Sequence, residues 1–231
     1  MSGENLEIRD LILLAALPHV VFEGWTPAAM QAGIDDLGDL SGLGLDAGAM
    51  AGERVFPGGM TDMAAHFSSW ADRRMIAEMA RMDTADMRVR DRVAAGVRAR
   101  LQVLIPHREA VRRLLAFLAL PHHVPMAVSC GYDTLNEIWY AAGDESADFN
   151  FYTKRALLAP VLVSTALYWL GDDGDEAGDY PQTWAFLDRR LDEVLKIPSL
   201  KARATKRLSQ IPTPSGIIHR FATIARARRS S

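Results

Sequence analysis

An all-α fold follows from three observations on this chain of 231 residues. Apolar residues recur at helical spacing, caps and proline or glycine stops punctuate them, and no segment alternates apolar and polar residues as a half-buried strand would. The elements follow in order. Leu11, Leu14, Ala15, Pro18, Val21 and Phe22 predict a first helix over about 8–22, kinked at Pro18 and ended by Gly24. Thr26-Pro27 supplies an N-cap followed by proline at the first helical position, so a second helix runs to about Leu37. The stretch 38–59 is glycine-rich, with a single turn expected near 46–51. Longer helices follow over about 60–82, 84–104, 108–119, 125–141, 147–170 and 181–195. Between the last two long helices of the apolar core, Gly143 suits a C-cap. Asp144, Ser146 and Asp148 suit the next N-terminus, where unpaired N–H groups and the helix dipole favour acceptors.

A hydrophobic content of 49% is enough to bury a substantial core. The lone Cys130 excludes an internal disulfide, fits a reducing compartment, and is expected as a small buried apolar residue. The N-terminus lacks the basic region, apolar run and cleavage site of a signal peptide. No apolar run reaches the ~20 residues needed to span a bilayer; the longest, 156–170, is broken by Pro160, Ser164 and Thr165. Charge is unevenly spread. Residues 1–72 hold eleven Asp and Glu against Arg9 and Arg54, whereas residues 196–231 hold nine Lys and Arg and no acid. Opposite ends of this kind point to different environments, or to contact between tail and head.

Nothing in the chain carries a catalytic or metal-binding pattern. The six histidines include no H-E-x-x-H or other ligand spacing, and there is no C-x-x-C, P-loop, G-x-S-x-G or G-x-G-x-x-G. His19, His107 and His122 each follow a proline and read as corner residues that satisfy backbone groups. The acidic run 172–179 misses the calcium-loop spacing and reads as a solvated loop. The reading is of a non-enzyme with no cofactor.

Two segments look like binding surfaces. Trp139, Tyr140, Phe149, Phe151 and Tyr152 crowd a polar turn, a composition that partner surfaces favour. Asp148, Tyr152 and Arg155 share one helical face. In the tail, Ile217, Ile218, Phe221 and Ile224 form an apolar stripe beside Arg220, Arg226, Arg228 and Arg229. That pattern fits a short interfacial helix on an anionic membrane, or a helix packed on the bundle. Met75, Met79 and Met82 share a face in the fourth helix. With Leu101, Leu104, Leu114, Leu118, Leu157, Leu158, Val161 and Leu162 they read from spacing alone as ordinary core.

The chain also resembles the lipid-binding accessory proteins of ubiquinone biosynthesis, the coenzyme Q protein nine family. The resemblance rests on an ordered set: A-A-L-P-H-V-V-F-E-G-W (Ala15 to Trp25), L-I-P-H (Leu104 to His107) and L-P-H-H-V-P (Leu120 to Pro125). It continues in A-G-D-E-S-A-D-F-N-F-Y-T-K-R-A (Ala142 to Ala156) and T-W-A-F-L-D-R-R (Thr183 to Arg190). It implies a TetR-like bundle: a degenerate helix-turn-helix region over 1–70, a lipid-binding core over 71–195, a basic linker over 196–212 and an amphipathic membrane helix over 213–231. It further implies that the methionine and leucine set above encloses a cavity for an isoprenoid quinone precursor or a phospholipid. The implied partner is the di-iron demethoxyubiquinone hydroxylase, docking on Trp139, Tyr140, Asp144, Asp148, Phe149, Asn150, Phe151, Tyr152 and Arg155. Family members often carry tryptophan where Phe151 stands and arginine where Lys154 stands, which alters the donors available there. A homodimer at the inner face of the cytoplasmic membrane, or its mitochondrial equivalent, completes the implication.

The same fold raises a rival, a TetR-type DNA-binding regulator with an apolar ligand. Its DNA-facing window, about 26–59, sets Asp35, Asp36, Asp39, Asp46 and Glu53 against Arg54 alone. Duplex binding depends on lysine and arginine neutralising phosphates, so the expectation is no nucleic-acid partner.

Overall fold

A computed structural model describes residues 3–38, 51–143 and 149–194. Helices α1 (Gly3–Glu23), α2 (Pro27–Leu37), α3 (Ala51–Val55), α4 (Gly59–Met79), α5 (Val89–Leu104), α6 (Arg108–Leu118), α7 (Val124–Ala141) and α8 (Phe149–Gly171) follow one another. A ninth, α9, covers 181–194, and there is no strand among the described residues. The fold is all-α. The described residues up to Asp188 form one compact unit.

Local chemistry explains most boundaries. The Thr26 hydroxyl accepts from the Ala29 N–H at 3.3 Å, and Pro27 opens α2. Gly24 and Gly143 take φ of +73° and +78°, a left-handed conformation that glycine adopts without penalty. The Gly24 N–H closes α1 on the Val20 carbonyl at 2.9 Å. α1 starts five residues earlier than expected and runs through Pro18. The missing proline N–H removes a single i→i−4 bond, and packing of α1 on α2 and α6 holds the rest. Conversely α4 stops at Met79 and α5 starts at Val89, so the turn between them is longer than the periodicity suggests. Asp83 accepts from the Ala85 N–H at 3.3 Å, a side-chain turn that competes with helix.

The core runs through Ile12, Leu13 and Leu17 of α1, Met63, Phe67 and Met75 of α4, Leu101 of α5, Ile138 of α7, Trp169 of α8 and Leu187 of α9. α1 and α2 approach at backbone distance: a Cβ placed on Gly33 would stand 2.5 Å from the Ala16 nitrogen. Trp25 ties this N-terminal corner to the rest by donating its indole N–H to the Ala110 carbonyl at 3.2 Å. It also meets Phe67, with ring centroids 5.5 Å apart. No single helix among the described residues is long and apolar enough to cross a membrane; a pair bent by 98°, Val89–Leu118 with Pro121–Ala141, passes by length and composition only.

The histidines divide differently from expectation. His19 pairs with the Asp36 carboxylate at 2.6 Å rather than with backbone. His107 sits in the 3₁₀ turn after α5, edge-on to Phe67 and Trp70. At the next corner it is His123, not His122, that reaches backbone, with Nδ1 2.8 Å from the Phe117 carbonyl. The acidic run is more structured than a solvated loop. Asp172 accepts from the Thr183 N–H and hydroxyl at 3.0 and 2.7 Å, and Asp179 accepts from the Trp184 indole at 2.7 Å. Hydrogen bonding from Trp184 and from the Tyr180 N–H holds the Asp179 carboxyl below its ordinary range. At Asp172 burial pushes upward, but the bonds from Thr183 and Gly174 outweigh it and the carboxyl lies low.

Candidate functional site

The bundle leaves an apolar hollow of about 340 Å³. α6 follows α5 directly through the 3₁₀ turn Ile105–His107, which Pro106 opens. Leu101 and Leu104 of α5 line the hollow together with Val111, Leu114, Leu115 and Leu118 of α6. α4 adds Phe67 and Ala71, α7 adds Ala127 and Gly131, and α8 adds Leu162 and Val163. The volume lies within the range of small-molecule sites, which are concave and mostly apolar.

Of the residues expected to hold a lipid, the structure brings Leu101, Leu104, Leu114, Leu118 and Leu162 together here. Met75, Met79, Leu158 and Val161 are buried elsewhere in the core. Leu157 is half-buried away from the hollow, and Met82 is exposed in the turn after α4. Spacing overlooked the small residues of α7. Ala127 and Gly131 stand one turn apart, and a Cβ added to Gly131 would meet nothing within 4 Å. A glycine inside a helix costs stability unless its missing side chain serves something; that was the available signal.

The same two residues, with Leu162 and Val163, also border a shallower furrow of about 600 Å³ between α7 and α8. Its rim is apolar and open to solvent. Val124, Val128 and Tyr132 recur every four residues along α7 and are exposed, as are Val163 and Leu167 on α8. Val128 is 66% exposed. Contiguous exposed apolar surface of this kind marks a site of interaction.

The expected docking tract divides. Trp139 is buried, with the Lys154 ammonium 5.5 Å from its ring centre. Tyr140 is 75% exposed. Arg155 is buried and donates to the Asn136 side chain, joining α8 to α7 beneath the furrow. Asp144 and Asp148, and the side chains of Phe149, Asn150, Phe151 and Tyr152, lie outside the described residues. So do all the tail residues, Ile217, Ile218, Arg220, Phe221, Ile224, Arg226, Arg228 and Arg229.

A second, polar hollow of about 670 Å³ opens between α1, α4 and α7. Arg9 pairs with Asp62. His66 Nε2 lies 2.7 Å from Asp10, which Arg73 also contacts at 2.5 Å. Deeper in, the buried Asp72 accepts from Arg100 at 2.7 Å and from the Thr134 hydroxyl at 3.0 Å, while Arg100 also reaches the Ser68 hydroxyl at 3.1 Å. Burial lowers the His66 imidazole pKa despite the hydrogen bond that the ring donates to Asp10. Burial, followed by the charges of Asp72 and Asp133, pushes the Glu137 carboxyl up. Cys130 is half-buried rather than sealed in the core. Burial and the charges of Asp133 and Asp72 raise its thiol pKa, which keeps it protonated. Among the described residues no cluster of His, Cys, Asp and Glu is arranged to hold a metal ion.

Residues 124–198, which include α7, α8 and α9, match the sequence profile of the COQ9 family. The chain is 32% identical over 203 residues to the mitochondrial ubiquinone biosynthesis protein COQ9 of Homo sapiens, covering 85% of this chain and 59% of that protein. It is 31% identical to the mitochondrial COQ9 protein of Drosophila melanogaster, over 82% of this chain and 56% of the other. It thus spans about 60% of the length of these curated relatives. Among solved structures, a TetR transcriptional regulator from Nitrosomonas europaea superposes with a TM-score of 0.61. The superposition covers 82% of this chain and 98% of that one at 18% identity, a likeness of fold alone.

Proposed function

From a chain whose residues 124–198 match the COQ9 family, we propose a non-catalytic accessory role in ubiquinone biosynthesis, performed by binding a prenylated lipid. The observation that carries this reading is the leucine-lined hollow, which borders the exposed furrow between α7 and α8 through Ala127, Gly131, Leu162 and Val163. A prenyl chain leaving a bilayer needs an apolar container, because each methylene exposed to water costs about 0.8 kcal/mol. The hollow supplies the container and the furrow an apolar way in. The chain draws an isoprenoid quinone precursor from the membrane and offers its ring to a di-iron hydroxylase acting on demethoxyubiquinone. The partner docks beside the exposed Tyr140, close to the buried Trp139–Lys154 and Arg155–Asn136 contacts. The tail, with its isoleucine and arginine pattern, holds the protein on the membrane, and two copies associate. The relatives named above are mitochondrial proteins, and the same compartment, or the inner face of a bacterial cytoplasmic membrane, suits this role.

Native mass spectrometry of the purified chain, before and after lipid removal, tests the reading and reports stoichiometry as well. A co-purifying isoprenoid is expected, and a ligand-free spectrum that accepts no added prenyl quinone refutes it. Deleting 213–231 is expected to abolish pelleting with anionic liposomes.

A DNA-binding regulator is the second reading, favoured by the shared fold with the Nitrosomonas protein. Asp35 and Asp36 on α2 oppose it, since phosphate neutralisation needs cations. The measurement is mobility shift of duplex DNA, with no retardation expected at 150 mM salt.

A further inference from the structure

The elbow where α6 meets α7 exposes Leu120, Val124 and Val128, and Val163 of α8 shares the furrow with the two valines. We propose that this elbow enters an anionic phospholipid bilayer as a wedge, a second membrane contact on the body of the protein and separate from the tail. This rests on the membrane attachment proposed above and names the surface that the tail brings down onto the lipid.

A bilayer offers no partner to a free backbone N–H, so a turn that enters it has to spend its donors internally. This turn largely does. Ala119 donates to the Leu115 carbonyl, Leu120 to Phe117 and His123 to Leu120, at 3.0, 3.3 and 2.9 Å. Pro121 and Pro125 have no N–H to place. His123 also brings its ring Nδ1 to 2.8 Å from the Phe117 carbonyl and stacks on the Phe117 ring, with centroids 3.9 Å apart. The elbow thus holds its shape with little help from water.

Charge selects the occupant. The chain has 29 Asp and Glu, yet none lies between Ala110 and Tyr132 or between Phe149 and Gly171. Those two stretches hold Arg112, Arg113, Lys154 and Arg155. Arg112 and Arg113 share the exposed Glu109 as partner, a surface pairing that is weak and readily exchanged for phosphate. The exposed polar residues nearest the tip, His122 and Ser129, bring no negative charge. The acidic run after α8 borders Leu167 in a separate recess, so Leu167 is left above the lipid.

Depth agrees with the pattern. The arms Val89–Leu118 and Pro121–Ala141 meet at a bend of 98° and together have the length and composition of a broken membrane segment. With the elbow pointing inward, each arm climbs about 1 Å per residue, a helical rise of ~1.5 Å inclined at about 45°. Tyr132 then lies about 8 Å behind Val124, within the roughly 5–10 Å that interfacial elements reach. At 41% exposure its ring arrives where aromatic side chains gather at headgroup level. Arg113, in the middle turn of α6, extends its guanidinium to the same level. The mouth of the furrow opens into acyl chains.

The experiment uses the full chain and vesicles of phosphatidylcholine with phosphatidylglycerol. In a Cys130→Ser background, an environment-sensitive fluorophore is attached at Val124→Cys, at Phe221→Cys in the tail, or at Phe22→Cys. Phe22 is 84% exposed on α1, in the acid-rich part of the chain, and serves as the solvent control. Labels at 124 and 221 are expected to brighten and to be quenched by doxyl-labelled lipid, and the label at 22 to do neither. Val124→Asp/Val128→Asp is expected to weaken vesicle partitioning of the unlabelled chain by about tenfold or more with an unchanged circular-dichroism spectrum. Arg113→Gln is expected to weaken it by about fivefold on these vesicles and not at all on neutral ones. If position 221 reports insertion and 124 does not, the wedge is refuted and the tail attachment stands; if neither reports it, both fall. Equal brightening at 22 also refutes the wedge, since adsorption of the whole surface needs none. So does a double aspartate variant that partitions normally but turns a dimeric chain monomeric in sedimentation, because a second copy then covers this face.

Discussion

Replacing Gly131 by leucine separates the structural demands on α7 from its proposed function more cleanly than any other single change. Gly131 lies in mid-helix and borders both the leucine-lined hollow and the α7–α8 furrow. A Cβ there meets no atom within 4 Å, so the substitution strains nothing. Glycine in a helix interior is disfavoured by about 1 kcal/mol relative to alanine, and leucine is nearly as good a helix former. The variant is therefore expected to gain about 0.5–1 kcal/mol, or roughly 1–4 °C in Tm for a domain of this size. Its four side-chain carbons occupy space proposed for the ligand. Losing contact with about four methylene equivalents at ~0.8 kcal/mol each removes about 3 kcal/mol of binding, more than a hundredfold in Kd. Circular-dichroism melting and titration with ubiquinone-2 read the two effects separately. A more stable protein that no longer binds supports the assignment. A variant that melts lower contradicts the open space at Gly131, and unchanged affinity contradicts the hollow as the ligand site.

Three further outcomes follow from the packing. Gly33→Ala puts a Cβ 2.5 Å from the Ala16 backbone nitrogen, where neither helix gives way; a loss of about 2–3 kcal/mol is expected in urea unfolding, at the upper end for overpacking. Asp72→Ala strands the Arg100 guanidinium and the Thr134 hydroxyl, each of which donates to that carboxylate, and the expected loss is about 3–5 kcal/mol. Stability is also expected to fall in mild acid through His66, whose pKa burial lowers from 6.5. With the folded pKa below the unfolded one, the unfolded chain binds the extra proton between the two values, so stability is full above about 6.5 and declines as pH falls below it. His107, lowered by burial alone, adds to the same slope. Urea midpoints between pH 7.5 and 5 are expected to drop, and a double His66→Gln/His107→Gln variant to flatten the profile.

What the sequence made legible was set by local chemistry. Thr26-Pro27 and the glycines at 24 and 143 marked helix boundaries because caps and left-handed turns depend on a few adjacent residues. The early end of α4 was not visible, because an Asx turn at Asp83 overrode a run of good helix formers. The hollow was legible only in part for a related reason. Met75, Met79 and Met82 share a helical stripe, but a stripe states which residues face inward and not whether the interior there is filled. Met75 and Met79 meet solid core while the leucines of α5 and α6 border empty space. Voids arise from how five helices meet, and no single helix encodes them. Arg155 makes the same point: its spacing with Asp148 and Tyr152 suggested a surface face, yet it is buried against Asn136, because the neighbouring helix decides what a long side chain covers.

The distribution of exposed apolar residues ties these strands together. α4 and α5 turn their large hydrophobic residues almost wholly inward, whereas α7 and α8 expose Val124, Val128, Tyr132 and Val163 along one furrow. At about 25 cal/mol per Å² of apolar surface, leaving such a strip in water opposes solubility without aiding the fold, which already buries Leu135, Ile138 and Leu162 from the same helices. On the function proposed above, the strip is the surface that acyl chains, a prenyl tail or a second protein surface cover in the working state. Solvent labelling distinguishes a covered strip from a bare one: Tyr132 and Tyr140 are both exposed in the isolated chain, and liposomes or bound prenyl quinone are expected to shield Tyr132 from hydroxyl radicals while leaving Tyr140 reactive. Equal shielding of the two tyrosines would mean that the furrow is not the entrance and that the hollow is reached from the polar side.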